Sequence, residues 1–142
     1  MLSKEFVTSR KVGKVAEYYV ADLLEKRGYK TSVVPYGNHP AYDLTATKDR
    51  EYYLVEVQWD KRAMGTGNLA IEIGKLQKSQ ADLLVIVFGT DKPLGAWLTE
   101  RSKTLSYAQN WPRKGAYGEH GEISAIIPQE VFTANIVTRR LA

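Results

Sequence analysis

The chain has 142 residues, 44% of them hydrophobic and 25% charged, with a formal net charge of +4. This predicts one soluble domain over residues 1–142 with a proper core, and a mild basic excess that suits a polyanion without requiring one. Cysteine is absent and histidine occurs twice, which excludes a disulfide framework and thiolate metal sites and disfavours histidine-bound zinc. No apolar run is long enough for a bilayer, and the N-terminus does not read as a signal peptide, so no membrane partner and a reduced cytoplasmic setting are expected.

In chain order, Thr8 or Ser9 can cap a helix whose apolar residues Val12, Val15, Ala16, Tyr19, Val20, Leu23 and Leu24 recur at i, i+3 and i+4. Gly28 ends it. Glu17 lies at the border of this apolar stripe, where a carboxylate either reaches a buried site or stays a solvated charge. Arg10, Lys11 and Lys14 crowd the start of the same helix. Cations there oppose the helix dipole, so they serve either as phosphate ligands or as a solvated basic face. Thr31 to Tyr36 predicts a β-branched strand, and Gly37-Asn38-His39-Pro40 a turn in which His39 is either a polar loop residue or a substrate contact.

Tyr42 to Ala46 and Tyr52 to Trp59 predict two strands joined by a hairpin, with Lys48-Asp49-Arg50-Glu51 as the polar turn. Alternation sends Val55 and Val57 into the core and Glu56 and Gln58 together to the other side. Pairing with the preceding strand can bring Asp43 near them. Two carboxylates with an amide beside them suit a hard divalent cation, Mg²⁺ or Mn²⁺, because such ions take oxygen ligands. An acid inside the apolar run Leu54-Val55-Glu56-Val57 is costly to bury unless it is paired or metal-bound.

Lys61 to Asn68 predicts a basic, glycine-containing loop that either carries Lys61, Arg62 and backbone amides to a phosphate or is a plain turn. Lys61 falls on the opposite strand face from Gln58 if the strand continues. Residues 73–80 are too short for a firm assignment, but Lys75 and Lys78 suit phosphate contacts. Ala81 to Phe88 predicts a central strand covered on both faces. Ala96 to Leu98 adds a short strand, and Thr99 to Ala108 a helix capped by Thr99. Residues 109–121 predict an irregular segment in which Trp111, Arg113, Lys114 and Tyr117 either grip a nucleic-acid strand or form an ordinary long loop. Ile123 to Ile127 is a strand, and Pro128 opens a last helix with Arg139-Arg140 at its tail.

Taken as an ordered set, Arg10–Glu17 with Leu23–Tyr29, then Asp43, Glu56-Val57-Gln58, Gly67–Glu72 and Lys78–Asp82 resemble the PD-(D/E)xK nuclease superfamily, above all its small resolvase-type and phage-type members. The resemblance covers roughly residues 10–100. It implies a restriction-endonuclease-like α/β fold, a mixed central sheet flanked by helices, and a Mg²⁺-dependent DNA endonuclease of resolvase, homing or phage type. It implies that Asp43 and Glu56 bind the metal and that Glu17, in Gly-x-x-Ala-Glu, helps to bind or orient it. Asn68 and Glu72 recur within it. Gln58 stands where the family usually has lysine; a carboxamide can accept from water or donate to phosphate, but it carries no charge. The expected nucleic-acid contacts are Arg10, Lys11, Lys14, Lys61, Arg62, Asn68, Lys75, Lys78, Arg113 and Lys114, with duplex or branched DNA as partner. A homodimer is expected, since two copies of the site would address two strands. The rival readings are a non-catalytic nucleic-acid-binding protein that keeps the fold, and an RNA-directed nuclease.

Overall fold

A computed structural model describes residues 14–35, 42–117 and 122–142. Helix α1 (Val15–Glu25) is followed by β1 (Lys30–Val33), β2 (Leu44–Lys48) and β3 (Glu51–Asp60). Then come α2 (Ala63–Thr66), β4 (Asn68–Glu72), α3 (Ile73–Lys78), β5 (Leu83–Phe88) and β6 (Gly95–Glu100). The chain closes with α4 (Arg101–Asn110), β7 (Lys114–Tyr117), β8 (Glu122–Pro128), α5 (Gln129–Asn135) and β9 (Arg139–Arg140). The main sheet runs β1-β2-β3-β5-β6-β9 and a small one runs β4-β8-β7. β3 and β5 are parallel, whereas their neighbours pair antiparallel. Parallel partners need a crossover, and α2, β4 and α3 supply it.

Two apolar layers sandwich the main sheet. On one face Val20 and Leu24 of α1 pack with Leu44, Val55, Val57, Val85 and Val87. On the other, Leu84 and Ile86 meet Leu69 and Ile71 of β4, Ile127 of β8 and Phe132 of α5. β5 is therefore covered on both sides, as its continuous apolar run predicts. This is the expected mixed α/β sheet flanked by helices.

Local signals account for several boundaries. Gly28 takes φ +93°, and the Tyr29 N–H reaches back to the Leu24 carbonyl at 3.1 Å, closing α1. The β2–β3 turn is tighter than predicted: Lys48 pairs with Glu51, leaving Asp49 and Arg50 at the tip. Asp49 sits at φ +56°, a conformation aspartate tolerates.

Other elements differ from expectation. Thr99 is a buried β6 residue bonded to the Leu84 carbonyl at 3.1 Å, so it does not cap α4, whose N-cap position is Glu100. Residues 63–66 and 73–78 are short helices, and 68–72 and 114–117 are strands. Arg139-Arg140 pairs with β6 instead of ending a helix. Among the described residues no helix is long and apolar enough to cross a membrane.

Candidate metal and nucleic-acid site

The β2–β3 register sets the acidic centre. Leu44 pairs with Val55, so Asp43, one residue earlier, comes level with Glu56. Backbone bonds peg Asp43 there: its N–H donates to the Val55 carbonyl at 2.9 Å, and its carbonyl accepts from the Val34 N–H at 3.0 Å. Its Oδ2 accepts the Val57 N–H at 2.7 Å. Glu56 is only 6% exposed. Burial pushes its carboxyl up to about 8, and the hydrogen bond and charge of Asp43 push the same way. The Lys75 ammonium, 3.8 Å from Glu56 Oε2, and a hydrogen bond with Ser79 oppose that rise. Glu17, in the first turn of α1, is likewise raised, by burial first and by Asp43 second, against Lys14 and Lys75. Glu17 Oε2 is buried and accepts no hydrogen bond.

Two more polar side chains share the Glu56 face of β3. Gln58 Nε2 donates to the Ala70 carbonyl at 2.6 Å, while Gln58 Oε1 is buried and accepts nothing. Asp60 is saturated by contrast. Its Oδ1 accepts the Arg62 and Ala63 N–H groups at 3.0 and 2.9 Å, and its Oδ2 the Ala70 N–H at 3.0 Å. Asp60 thus anchors the start of α2 and fastens β4 to β3. Its part was not foreseen from the sequence; an aspartate bonding the N–H two residues on makes an Asx turn, here leading into a helix whose N-cap position is Arg62.

The charge of Asp43 bears on both Glu17 and Glu56 and raises both, so Asp43 is the acid common to the two. Among the described residues no group of three or more acid, histidine or cysteine side chains is placed to hold a metal ion, so Glu17 does not join Asp43 and Glu56 in one ligand set here. The donor set still fits a hard cation. It is all oxygen, its two central carboxyls burden each other with Lys75 as a partial countercharge, and two buried oxygens lack donors. Mg²⁺ in particular keeps several water ligands instead of filling its shell from protein.

The expected phosphate contacts divide by location. Lys61, Arg62, Asn68 and Arg113 line a cavity of about 440 Å³ with Gln58 and Glu72. Lys61 lies with its ammonium 4.4 Å from the Trp59 ring centroid. Lys75 and Lys78 line a second cavity, of about 620 Å³, which Glu72 also borders. Lys14 acts on Glu17. Lys114 is exposed, and its ammonium donates to the Gln109 carbonyl at 3.4 Å and to the Trp111 carbonyl, at the end of α4. Arg10, Lys11 and His39 lie outside the described residues.

The sheet and its flanking helices form a mixed α/β domain with two adjacent carboxylates on the central hairpin. Residues 10–91 match the family model Mrr_cat, described as restriction endonuclease, and the chain belongs to this family, within the PD-(D/E)xK superfamily. The structure is similar to that of Hjc of Archaeoglobus fulgidus, a Holliday junction resolvase from an archaeal hyperthermophile. The TM-score is 0.50 at 13% identity, over 87% of this chain and 88% of that one, which shows the restriction-endonuclease-like fold. No curated protein matches the sequence.

Proposed function

We propose that the chain is a Mg²⁺-dependent DNA endonuclease, with Mn²⁺ as a substitute. The observation that carries this reading is Asp43 held level with a buried Glu56 whose carboxyl is lifted to about 8. A cation held by Asp43 and Glu56 would neutralise charge on the phosphate and make a water molecule more nucleophilic. Glu17 Oε2 and Gln58 Oε1, both lacking donors, accept hydrogen bonds from water and so orient it. The Gln58 carboxamide is already turned for this, because its nitrogen is fixed on Ala70. Lys61, Arg62, Asn68 and Arg113 on one side, with Lys75 and Lys78 on the other, hold the DNA backbone by charge and hydrogen bonds. Lys14, just before α1, adds to this basic set and Lys114 adds charge beside Arg113; Arg10 and Lys11, outside the described residues, are proposed as contacts from the sequence alone. Two copies in a homodimer would address the two strands of duplex or branched DNA.

The test is cleavage of single strands, duplexes, branched junctions and RNA with Mg²⁺ or Mn²⁺. Asp43→Ala and Glu56→Ala should each slow cutting by about 10³-fold, a scale set by losing charge stabilisation at the reacting phosphate. Cutting by both variants at the wild-type rate would overturn the site. Salt-sensitive DNA binding by a wild type that never cuts would make the protein a binding module, the outcome that an uncharged Gln58 favours. Cleavage confined to RNA would reassign the substrate.

A further inference from the structure

We propose that Lys75 is the catalytic cation of this centre, its ammonium contacting the scissile phosphate that Asp43 and Glu56 face. The inference rests on the DNA-nuclease reading above. In the reaction, a water oxygen forms a bond to phosphorus and the bond from phosphorus to one bridging ester oxygen breaks. The water gives a proton to solvent and the departing alkoxide takes one from solvent, so one water is consumed. Negative charge builds on the phosphoryl oxygens between these events, and a fixed positive charge beside them lowers the barrier.

Position 58 supplies no such charge. Gln58 is neutral, 8% exposed and tied to Ala70 through its nitrogen. Lys61 is directed elsewhere, over the Trp59 ring. Lys14 bears on Glu17, whereas Lys75 bears on both Glu17 and Glu56. The Lys75 side chain is 45% exposed, with its ammonium 3.8 Å from a carboxylate that is itself 7% exposed. The ammonium thus reaches a buried acid from a residue that also borders the open 620 Å³ cavity. At 3.8 Å the pair is loose enough for a phosphate oxygen to take the ammonium over.

The backbone under Lys75 is held firmly. Leu76 is fully buried, and Arg101 donates from Nη1 to the Leu76 carbonyl at 3.1 Å and from Nε to the Ala81 carbonyl at 2.5 Å. The Ser79 N–H donates to the Lys75 carbonyl at 3.1 Å, and the Ser79 side chain bonds Glu56. One short segment therefore places both the ammonium and a hydrogen bond at the same carboxyl group. A lysine serving only to grip passing phosphates would gain nothing from that arrangement.

The experiment compares wild type, Lys75→Ala and Lys75→Arg in three measurements: single-turnover cutting of saturating DNA with Mg²⁺, DNA affinity without divalent metal, and Mn²⁺ binding to the free protein by calorimetry. Lys75→Ala should cut about 10²-fold more slowly or worse. Its DNA affinity should fall only a few-fold, about the effect of one lost phosphate contact. Mn²⁺ should bind it at least as tightly as wild type, because a competing cation beside Glu56 is gone. Lys75→Arg, which keeps the charge, should cut well above the alanine variant, and Gln58→Lys in the Lys75→Ala background should recover cutting. Cutting by Lys75→Ala at the wild-type rate overturns the inference and leaves the nuclease reading standing. So does a loss of DNA affinity as large as the loss of rate, or a parallel loss of Mn²⁺ binding, which would make Lys75 a grip or a prop. A wild type that cuts nothing takes down both.

Discussion

The two sides of β3 are built from the same ten-residue strand to opposite ends. Val55 and Val57 close against α1 in an apolar layer, where 0% and 3% exposure are all that packing requires. Glu56, Gln58 and Asp60 are almost as buried, at 6%, 8% and 8%, yet they differ in how far their polar atoms are satisfied. Asp60 accepts three backbone N–H groups, Gln58 uses its nitrogen and leaves its oxygen bare, and Glu56 crowds against a second acid. Burial of a polar group alone does not mark a site, because a satisfied carboxylate is structural. The bare oxygen of Gln58, and the crowding of Glu56 by a second acid that only Lys75 and Ser79 offset, mark the part of the series that suits a ligand.

Glu56→Gln should show the largest effect. Cutting should fall by about 10³-fold while the metal-free protein gains stability. The sign follows from linkage. A carboxyl at 4.5 in the unfolded chain and about 8 in the folded one binds more protons when folded across that window. Its contribution to stability is therefore fully present below pH 4.5 and is lost as pH rises to about 8. Without metal, the wild-type melting temperature should drop over that range, and at pH 8 Glu56→Gln should melt about 4 °C higher or more. Mg²⁺ should raise the wild-type melting point at pH 8 and leave that of the variant nearly unmoved. Identical melting curves for the two proteins at pH 5 and pH 8 would mean that this acid is no less satisfied than Asp60, and the contrast would collapse.

Asp60→Ala sharpens the contrast from the structural end. Three N–H groups would lose their acceptor, and α2 and β4 would lose their anchor to β3. A cost of about 3 kcal/mol is expected, with Mn²⁺ affinity retained at temperatures where the protein stays folded. Chemical denaturation measures the first and calorimetry the second. A variant that keeps its stability and loses the metal would move Asp60 into the site.

Hairpin pairing and two-residue alternation are local rules that allowed Asp43 to fall beside Glu56, as the strand register now has it; that these acids make a site came from the resemblance to the PD-(D/E)xK superfamily. The helix around Val20 and Leu24, its stop at Gly28 and the doubly covered β5 follow from equally local patterns. The crossover was not legible. β4 and α3 have five and six residues, and Leu69, Ile71 and Leu76 earn their burial against Leu84 and Ile127, far along the chain. Asp60 looked like the polar end of a strand because its role depends on the chain turning helical at Ala63 and returning at Ala70. Thr99 fitted a cap by type, but tertiary packing drew it into β6. A lone lysine says nothing of where its ammonium goes: Lys75 reaches Glu56, whereas Lys114 closes the end of α4.

The smallest expected effect separates two lysines that the sequence treated alike. Lys61 follows Asp60 yet lies against the ring of Trp59, which belongs to the apolar side of β3. Lys75 lies against Glu56 on the polar side. An exposed ammonium over an indole is stabilised by roughly 0.5–1 kcal/mol, little enough for a phosphate to draw it away. Lys61→Ala should therefore reduce the slope of log affinity against log salt by about one and weaken DNA binding a few-fold. Its cutting rate at saturating DNA should fall far less than that of Lys75→Ala, since a charge that only holds the backbone acts equally on the ground and transition states. Titrations at several salt concentrations, paired with single-turnover rates, measure both quantities. Equal rate losses in the two variants would show that the face of β3 on which a lysine lies does not decide its part in the reaction.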